Sequence, residues 1–102
     1  MDHRQALRCR ALTLVNIHCR RGCSAGLIYD ISHNGMFVLS EAIPEINDHV
    51  DIHMALSSED GSPVRVPGRV VHRGKNGFGV RFRELGSAAR GTVKKFLAVC
   101  RA

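Results

Sequence analysis

Two short runs of this 102-residue chain carry side chains whose types and spacing suit recognition of an anionic, hydrogen-bonding ligand. The first is Arg4-Gln5-Ala6-Leu7-Arg8. Its two guanidiniums can each give paired hydrogen bonds to a phosphate or to the O6/N7 edge of a guanine, and each can lie flat on a planar ring. The second is Asp30-Ile31-Ser32-His33-Asn34-Gly35. On an extended chain Asp30 and Ser32 project to the same side, opposite the apolar Ile31, so that an acceptor and a hydroxyl converge on one spot. Gly35 can supply the positive φ of a tight reversal, or let another backbone or a ligand come close. Taken separately, both runs also have plainer meanings. Arg4 and Arg8 suit a solvated basic tail, and Asp, Ser, Asn and Gly are ordinary turn formers whose Asp caps backbone N–H groups.

Other reactive-looking groups do not assemble into a site. Asp30, Ser32 and His33 suggest a hydrolytic triad, but Ser32 and His33 are adjacent and diverge on a strand, and no oxyanion-stabilising element accompanies them. No enzyme activity is expected. Cys9, Cys19, Cys23 and Cys100 are scattered, which favours reduced thiols over a disulfide framework. His18, Cys19 and Cys23 lack the spacing of a zinc knuckle, and strand neighbours point to opposite faces, so no metal is expected.

The formal net charge of +6 is concentrated rather than spread. Residues 1–21 hold Arg4, Arg8, Arg10, Arg20 and Arg21 against Asp2 alone, whereas residues 22–64 contain no Lys or Arg and most of the acids. A local arginine cluster suits an anionic partner docked at one place. Single-stranded nucleic acid is a competing partner for a small basic barrel. With no Trp, one Tyr and four Phe, of which Phe78 and Phe82 fall in the core pattern, the chain has no platform for successive bases, and a nucleic acid polymer is not expected.

The elements that must position these residues are mostly strands. Leu12, Leu14 and Ile17 mark a first strand over residues 11–19, closed by Arg20-Arg21-Gly22. In the second, residues 23–31, period-two alternation puts Ala25, Leu27, Tyr29 and Ile31 on one face. A third covers residues 36–39, and Val50, Ile52, Met54 and Leu56 define a half-buried fourth. Residues 57–63 read as a polar loop. The fifth, residues 64–72, contains Pro67-Gly68, which argues for an edge position or a bulge. Residues 73–77 have hairpin-turn composition, and Phe78, Val80 and Phe82 mark the sixth strand. The period then changes. Ala89, Val93, Phe96, Leu97 and Cys100 form a helical stripe over about residues 87–101, with Ser87 as N-cap, and Gly91 weakens this helix by roughly 1 kcal/mol relative to Ala. Several short strands at near-regular spacing suggest a barrel or sandwich, and no run of apolar residues is long enough to span a membrane.

The two motifs, in this order and separated by the 21 residues from 9 to 29, resemble those of the PilZ family of receptors for the bacterial second messenger cyclic di-GMP. Gly68-Arg69-Val70-Val71-His72, followed by Gly77-Phe78-Gly79-Val80-Arg81-Phe82, looks like that family's last two barrel strands, so the resemblance covers essentially the whole chain. It implies a mainly β fold: a six-stranded antiparallel β-barrel of split-barrel type with one C-terminal α-helix. Residues 1–10 would be a flexible basic arm, and residues 11–102 the barrel with its helix. It further implies that Arg4, Arg8, Asp30, Ser32 and Gly35 bind cyclic di-GMP, with no cofactor, as the arm folds over the barrel. His3 stands where many members have a further arginine that bears on whether one ligand or an intercalated pair binds. His72 stands where an aromatic residue is common, and as an imidazole it either stacks modestly on guanine or is simply exposed. The expected protein is cytoplasmic, without membrane insertion. On ligand binding it would change shape and act in trans on an effector protein. A ligand-independent interaction module on the same fold is the alternative.

Overall fold

Period-two alternation builds strands wherever one face can be buried, and six such runs here close on one another. The computed structural model describes residues 9–54 and 64–101, with side chains for residues 12–54 and 64–98. Its strands are β1 (Cys9–Cys19), β2 (Gly22–Ile31), β3 (Gly35–Leu39), β4 (His49–Met54), β5 (Val64–Arg73) and β6 (Gly77–Phe82), followed by helix α1 (Ser87–Arg101). They form a closed barrel in the order β1-β2-β3-β6-β5-β4, with every neighbouring pair antiparallel. The expected six-stranded barrel with a C-terminal helix is therefore the observed architecture. Strand β1 starts at Cys9, two residues before the alternation suggested.

The interior is apolar. Val15 and Ile17 of β1, Ile28 and Ile31 of β2, Met36 and Val38 of β3, and Val50, Ile52 and Met54 of β4 all point inward. Val64, Val66 and Val70 of β5 and Phe78 and Val80 of β6 complete the wall. Ala89, Val93 and Leu97 of α1, which packs on β1, β2 and β5, belong to the same core. Each buried side chain of this size contributes about 1.5–3 kcal/mol, so a one-residue slip that turned a whole strand's set outward is excluded.

Three register shifts interrupt the alternation. In β1 the shift lies between Arg10 and Thr13, where Leu12 takes a left-handed φ of 49°. In β2, Ile28 pairs with Val38 but Asp30 with Phe37, leaving Tyr29 as an extra residue. In β5, Val70 pairs with Val80 but His72 with Gly79, leaving Val71 extra. Such bulges turn the side chains beyond them to the opposite face. The bulge at Tyr29 corrects the reading of β2: Ile28 and Ile31 face the core, while Leu27, opposite Leu14 and Leu39, lies on the outer surface.

Two further expectations change. A closed barrel has no edge strand, and Pro67 sits in register opposite Asp51, four residues before the bulge; its carbonyl accepts the Arg83 N–H at 3.0 Å. At the helix start, the Arg90 N–H donates to the Gly86 carbonyl at 2.9 Å, which makes Gly86 the cap and Ser87 the first helical residue. Residues 55–63, including Leu56 and the polar loop, lie outside the described residues.

Gly35 is one of two glycines, with Gly77, at which β3 and β6 approach too closely for a side chain. A Cβ there would run into the Val80 carbonyl, with the Arg81 Cα 3.3 Å away. Gly35 does not have a positive φ, so of the two roles open to it in sequence, close approach is the one it fills. Gly35→Ala should destabilise the barrel by about 2–3 kcal/mol, read as a fall of roughly 10–20 °C in the unfolding midpoint by circular dichroism.

Candidate functional site

The bulges in β2 and β5 line up one row of cross-strand partners over five strands. Arg10 stands opposite Asp30, Asp30 opposite Phe37, Phe37 opposite Gly79, and Gly79 opposite His72. Phe37 is flanked in sequence by the inward Met36 and Val38, and Gly79 by the inward Phe78 and Val80, so the row lies on the outer surface. Without the extra residues Tyr29 and Val71, alternation from Ile28 and Val70 would point Asp30 and His72 into the core.

A groove of about 570 Å³ opens along this row, lined among others by Ser32, Gly35, Phe37, His72, Gly79 and Arg81. Gly79 lies between Phe37 and His72 along it. The Phe37 and His72 rings stand on either side with centroids 6.2 Å apart and planes tilted by 47°. A Cβ on Gly79 would come within 3.2 Å of the His72 Cβ and 3.9 Å of the Phe37 ring. The missing side chain thus lets the two rings come together over Gly79, and together they offer an aromatic face on which a planar group can stack. His72 is exposed, as stacking on a ligand requires.

The turn beside the groove is a two-residue hairpin loop, His33-Asn34. The Ser32 N–H donates to the Gly35 carbonyl at 2.8 Å, and the Phe82 N–H to the Asn34 carbonyl at 2.8 Å, which ties the loop to the end of β6. The Ser32 hydroxyl is occupied within it: it donates to the Gly35 carbonyl and accepts the Asn34 N–H, both at 3.3 Å. Ser32 is only 2% exposed, whereas Asp30 is half-buried on the outer row. The two residues were expected to share one strand face. Instead β2 ends at Ile31, and the turn directs Ser32 inward.

Arg4, Arg8 and His3 lie outside the described residues. The segment that carries them joins the barrel at Cys9, in register opposite Ile31 and hence next to the 32–35 turn. Sequence reasoning brought Asp30, Ser32, Gly35 and His72 forward; the structure puts Ser32, Gly35 and His72 in the groove lining and Asp30 on the row that borders it. It missed Phe37, Gly79 and Arg81. The Gly77-x-Gly79 spacing was the available signal for the aromatic face over Gly79, because a glycine in mid-strand marks a close approach.

A second polar cluster lies elsewhere on the outer surface. The His18 Nδ1 is 3.1 Å from the Cys23 Sγ, and the His18 and His53 rings stack with centroids 3.9 Å apart. Burial, and next the charge of His18, hold His53 below its ordinary value. Cys19 packs against the core instead, so the three residues weighed as metal ligands do not converge.

The family model for the PilZ domain matches residues 2–98. No curated protein matches the chain in sequence. Among solved structures, the PilZ domain of CeSA from a cellulose-synthesising bacterium is similar at 18% identity and a TM-score of 0.71, covering 92% of this chain and 98% of that one. The PilZ domain of YcgR from Escherichia coli, solved with c-di-GMP, is similar at 14% identity and a TM-score of 0.73, covering 98% and 92%. The inhibitor of motility MotI/DgrA from Bacillus subtilis is similar at 15% identity and a TM-score of 0.62, covering 99% of this chain and 50% of that one. At these identities the structural likeness speaks for the fold. Among the described residues no helix is long and apolar enough to cross a membrane.

The hydrogen bonds of Ser32 make its role testable apart from any ligand. Ser32→Ala removes a buried hydroxyl bonded at both ends and should cost about 1–2 kcal/mol, a fall of roughly 4–15 °C in the thermal midpoint. Ser32→Thr, which keeps the hydroxyl, should recover part of it.

Proposed function

The chain belongs to the PilZ domain family, and on that premise we propose that it is a cyclic di-GMP receptor that binds the dinucleotide in the groove beside the 32–35 turn and acts in trans on an effector protein. The observation that carries this reading is the groove itself. Bulges present Asp30 and His72 on one outer row, with Phe37 and Gly79 between them and the arm-bearing end of β1 alongside. The YcgR domain solved with c-di-GMP supports the choice of ligand.

Each residue has a chemical role in this reading. The Asp30 carboxylate accepts from the N1–H and N2–H edge of a guanine, and the guanine ring stacks on the aromatic face that His72 and Phe37 form over Gly79. Arg4 and Arg8 donate to phosphate oxygens or to O6/N7, and the Arg81 guanidinium, opposite Gly35 at the turn end of the groove, adds a third such donor. Ser32 and Gly35 act by shaping the turn. Binding orders the arm over the groove, which lowers affinity somewhat and creates the surface an effector reads. No step in this scheme makes or breaks a covalent bond, and the proposed setting is the cytoplasm.

Isothermal titration with cyclic di-GMP, using GTP and cyclic di-AMP as controls, tests the proposal. Saturable heat with cyclic di-GMP alone is expected, and the molar ratio reports whether His3 leaves a single ligand or an intercalated pair. Arg8→Ala and Asp30→Ala should abolish binding while circular dichroism shows both variants folded. Gly79→Val, whose side chain pushes the His72 and Phe37 rings out of place, should weaken binding at least about tenfold, roughly 1.4 kcal/mol. No heat at tens of micromolar ligand would overturn the receptor reading in favour of a ligand-independent interaction module on this fold.

A further inference from the structure

The row adjoining the groove gathers positive charge without neutralising it. Gly35, Arg81, Arg69 and His49 are successive cross-strand partners over β3, β6, β5 and β4. Arg69 and Arg81 are thus directly opposite one another, and both are exposed. Like charges in that relation weaken a sheet. Arg83, just past β6, adds a third guanidinium, with its Nη1 2.9 Å from the His49 Nδ1. Three arginines elsewhere find acids, Arg21 and Arg73 pairing with Glu45 and Arg65 with Asp51, and Arg90 donates to the Leu85 carbonyl. Among the described residues Arg69, Arg81 and Arg83 form no ion pair, even though Glu84 lines the same cleft.

These residues enclose a cleft of about 480 Å³ whose lining also includes Pro67 and Phe82. We propose that it docks an acidic segment of a partner protein, whose carboxylates pair with Arg69, Arg81 and Arg83 while an apolar side chain covers Pro67 and Phe82. A small free anion needs donors already fixed around it, and the Arg69 and Arg81 guanidiniums are exposed and have no partner among the described residues. A polypeptide brings several carboxylates to arginines that are free to meet them, and it uses the apolar part of the lining as well. A nucleic acid strand would use the charge but needs a succession of aromatic platforms, and Phe82 is the single aromatic carbocycle in the lining.

Arg81 lines both this cleft and the groove. If the groove holds cyclic di-GMP, as the receptor reading has it, ligand and partner draw on one guanidinium, and each weakens the other by the same factor. That coupling rests on the receptor reading, whereas the cleft's preference for acidic chains does not.

The probe is a fluorescein-labelled dodecapeptide of Glu and Asp with one central Leu, followed by fluorescence anisotropy at low ionic strength. Ligand-free protein should bind it saturably. Arg69→Ala and Arg83→Ala should each weaken binding about tenfold, while Lys94→Ala/Lys95→Ala, on the exposed side of α1, should leave it unchanged. Arg69→Thr should also raise the thermal midpoint by about 1–4 °C, the signature of a surface kept for binding at the expense of stability. Absence of saturable binding, an equal loss in the lysine variant, or tighter binding of a single-stranded oligonucleotide through the same arginines would overturn the proposal. With cyclic di-GMP added, a threefold to tenfold loss of peptide affinity is expected. Ligand binding without such a loss removes the shared role of Arg81. Failure of cyclic di-GMP to bind at all counts against the receptor reading alone, because the peptide measurement stands without ligand.

Discussion

The interior of this closed six-stranded barrel has room for apolar side chains and none for a charge. That constraint decides where the ionisable residues of its strands go. Burying an ionised carboxylate without a partner costs several kcal/mol even after local relaxation, a large share of the 5–15 kcal/mol by which a domain is stable. Strict alternation along β2 and β5 would nonetheless send Asp30 and His72 inward, because Ile28 and Val70 are core residues two positions before them. One extra residue in each strand, Tyr29 and Val71, resolves the conflict by passing both side chains to the outside. The groove is thus a direct consequence of how the core is kept dry.

The same economy shapes the rest of the site. Phe37 and Gly79 belong to the outer row because Met36, Val38, Phe78 and Val80 hold the inner one. Gly35 lets β3 lie close against β6, which brings the 32–35 turn to the end of the groove and lets the Asn34 carbonyl accept from Phe82. Ser32 spends its hydroxyl on that turn. Rigid strands therefore set the walls, a tight loop sets one end, and the residues before Cys9 join beside it. In the proposed receptor this division lets the barrel stay fixed while the arm responds to ligand, and the unneutralised arginines next door give the response somewhere to be read.

Much of this was legible in the residues. Val50, Ile52 and Met54 alternate without interruption and lie in β4 as read, and the change of period at Ala89, Val93 and Leu97 located the helix. The asymmetric arginine content and the Asp30-x-Ser32-x-x-Gly35 run mark the region of interest in the sequence itself. The bulges were not legible, for a physical reason: Tyr29 and Val71 are good strand formers, and a bulge made of such residues leaves no compositional trace. Missing the first of them turned Leu27 to the wrong face. Ser32 could not be distinguished from an outward strand residue until the end of β2 was known to fall at Ile31. Phe37 and Arg81 went unnoticed because their significance lies in cross-strand partners 42 and 46 positions away, Gly79 and Gly35, which no local pattern relates.

The central claim is that bulged strands place a single binding row on one side of an otherwise closed barrel. Titrating isotope-labelled protein with cyclic di-GMP and following backbone amide shifts tests it most directly. The account predicts shifts concentrated at residues 30–37, 71–72 and 79–81, with His18 and His53 on the other cluster unmoved. Saturable binding with shifts confined to the outer faces of β1 and β4 around His18 and His53, and none at Asp30, Phe37 or Gly79, would contradict it.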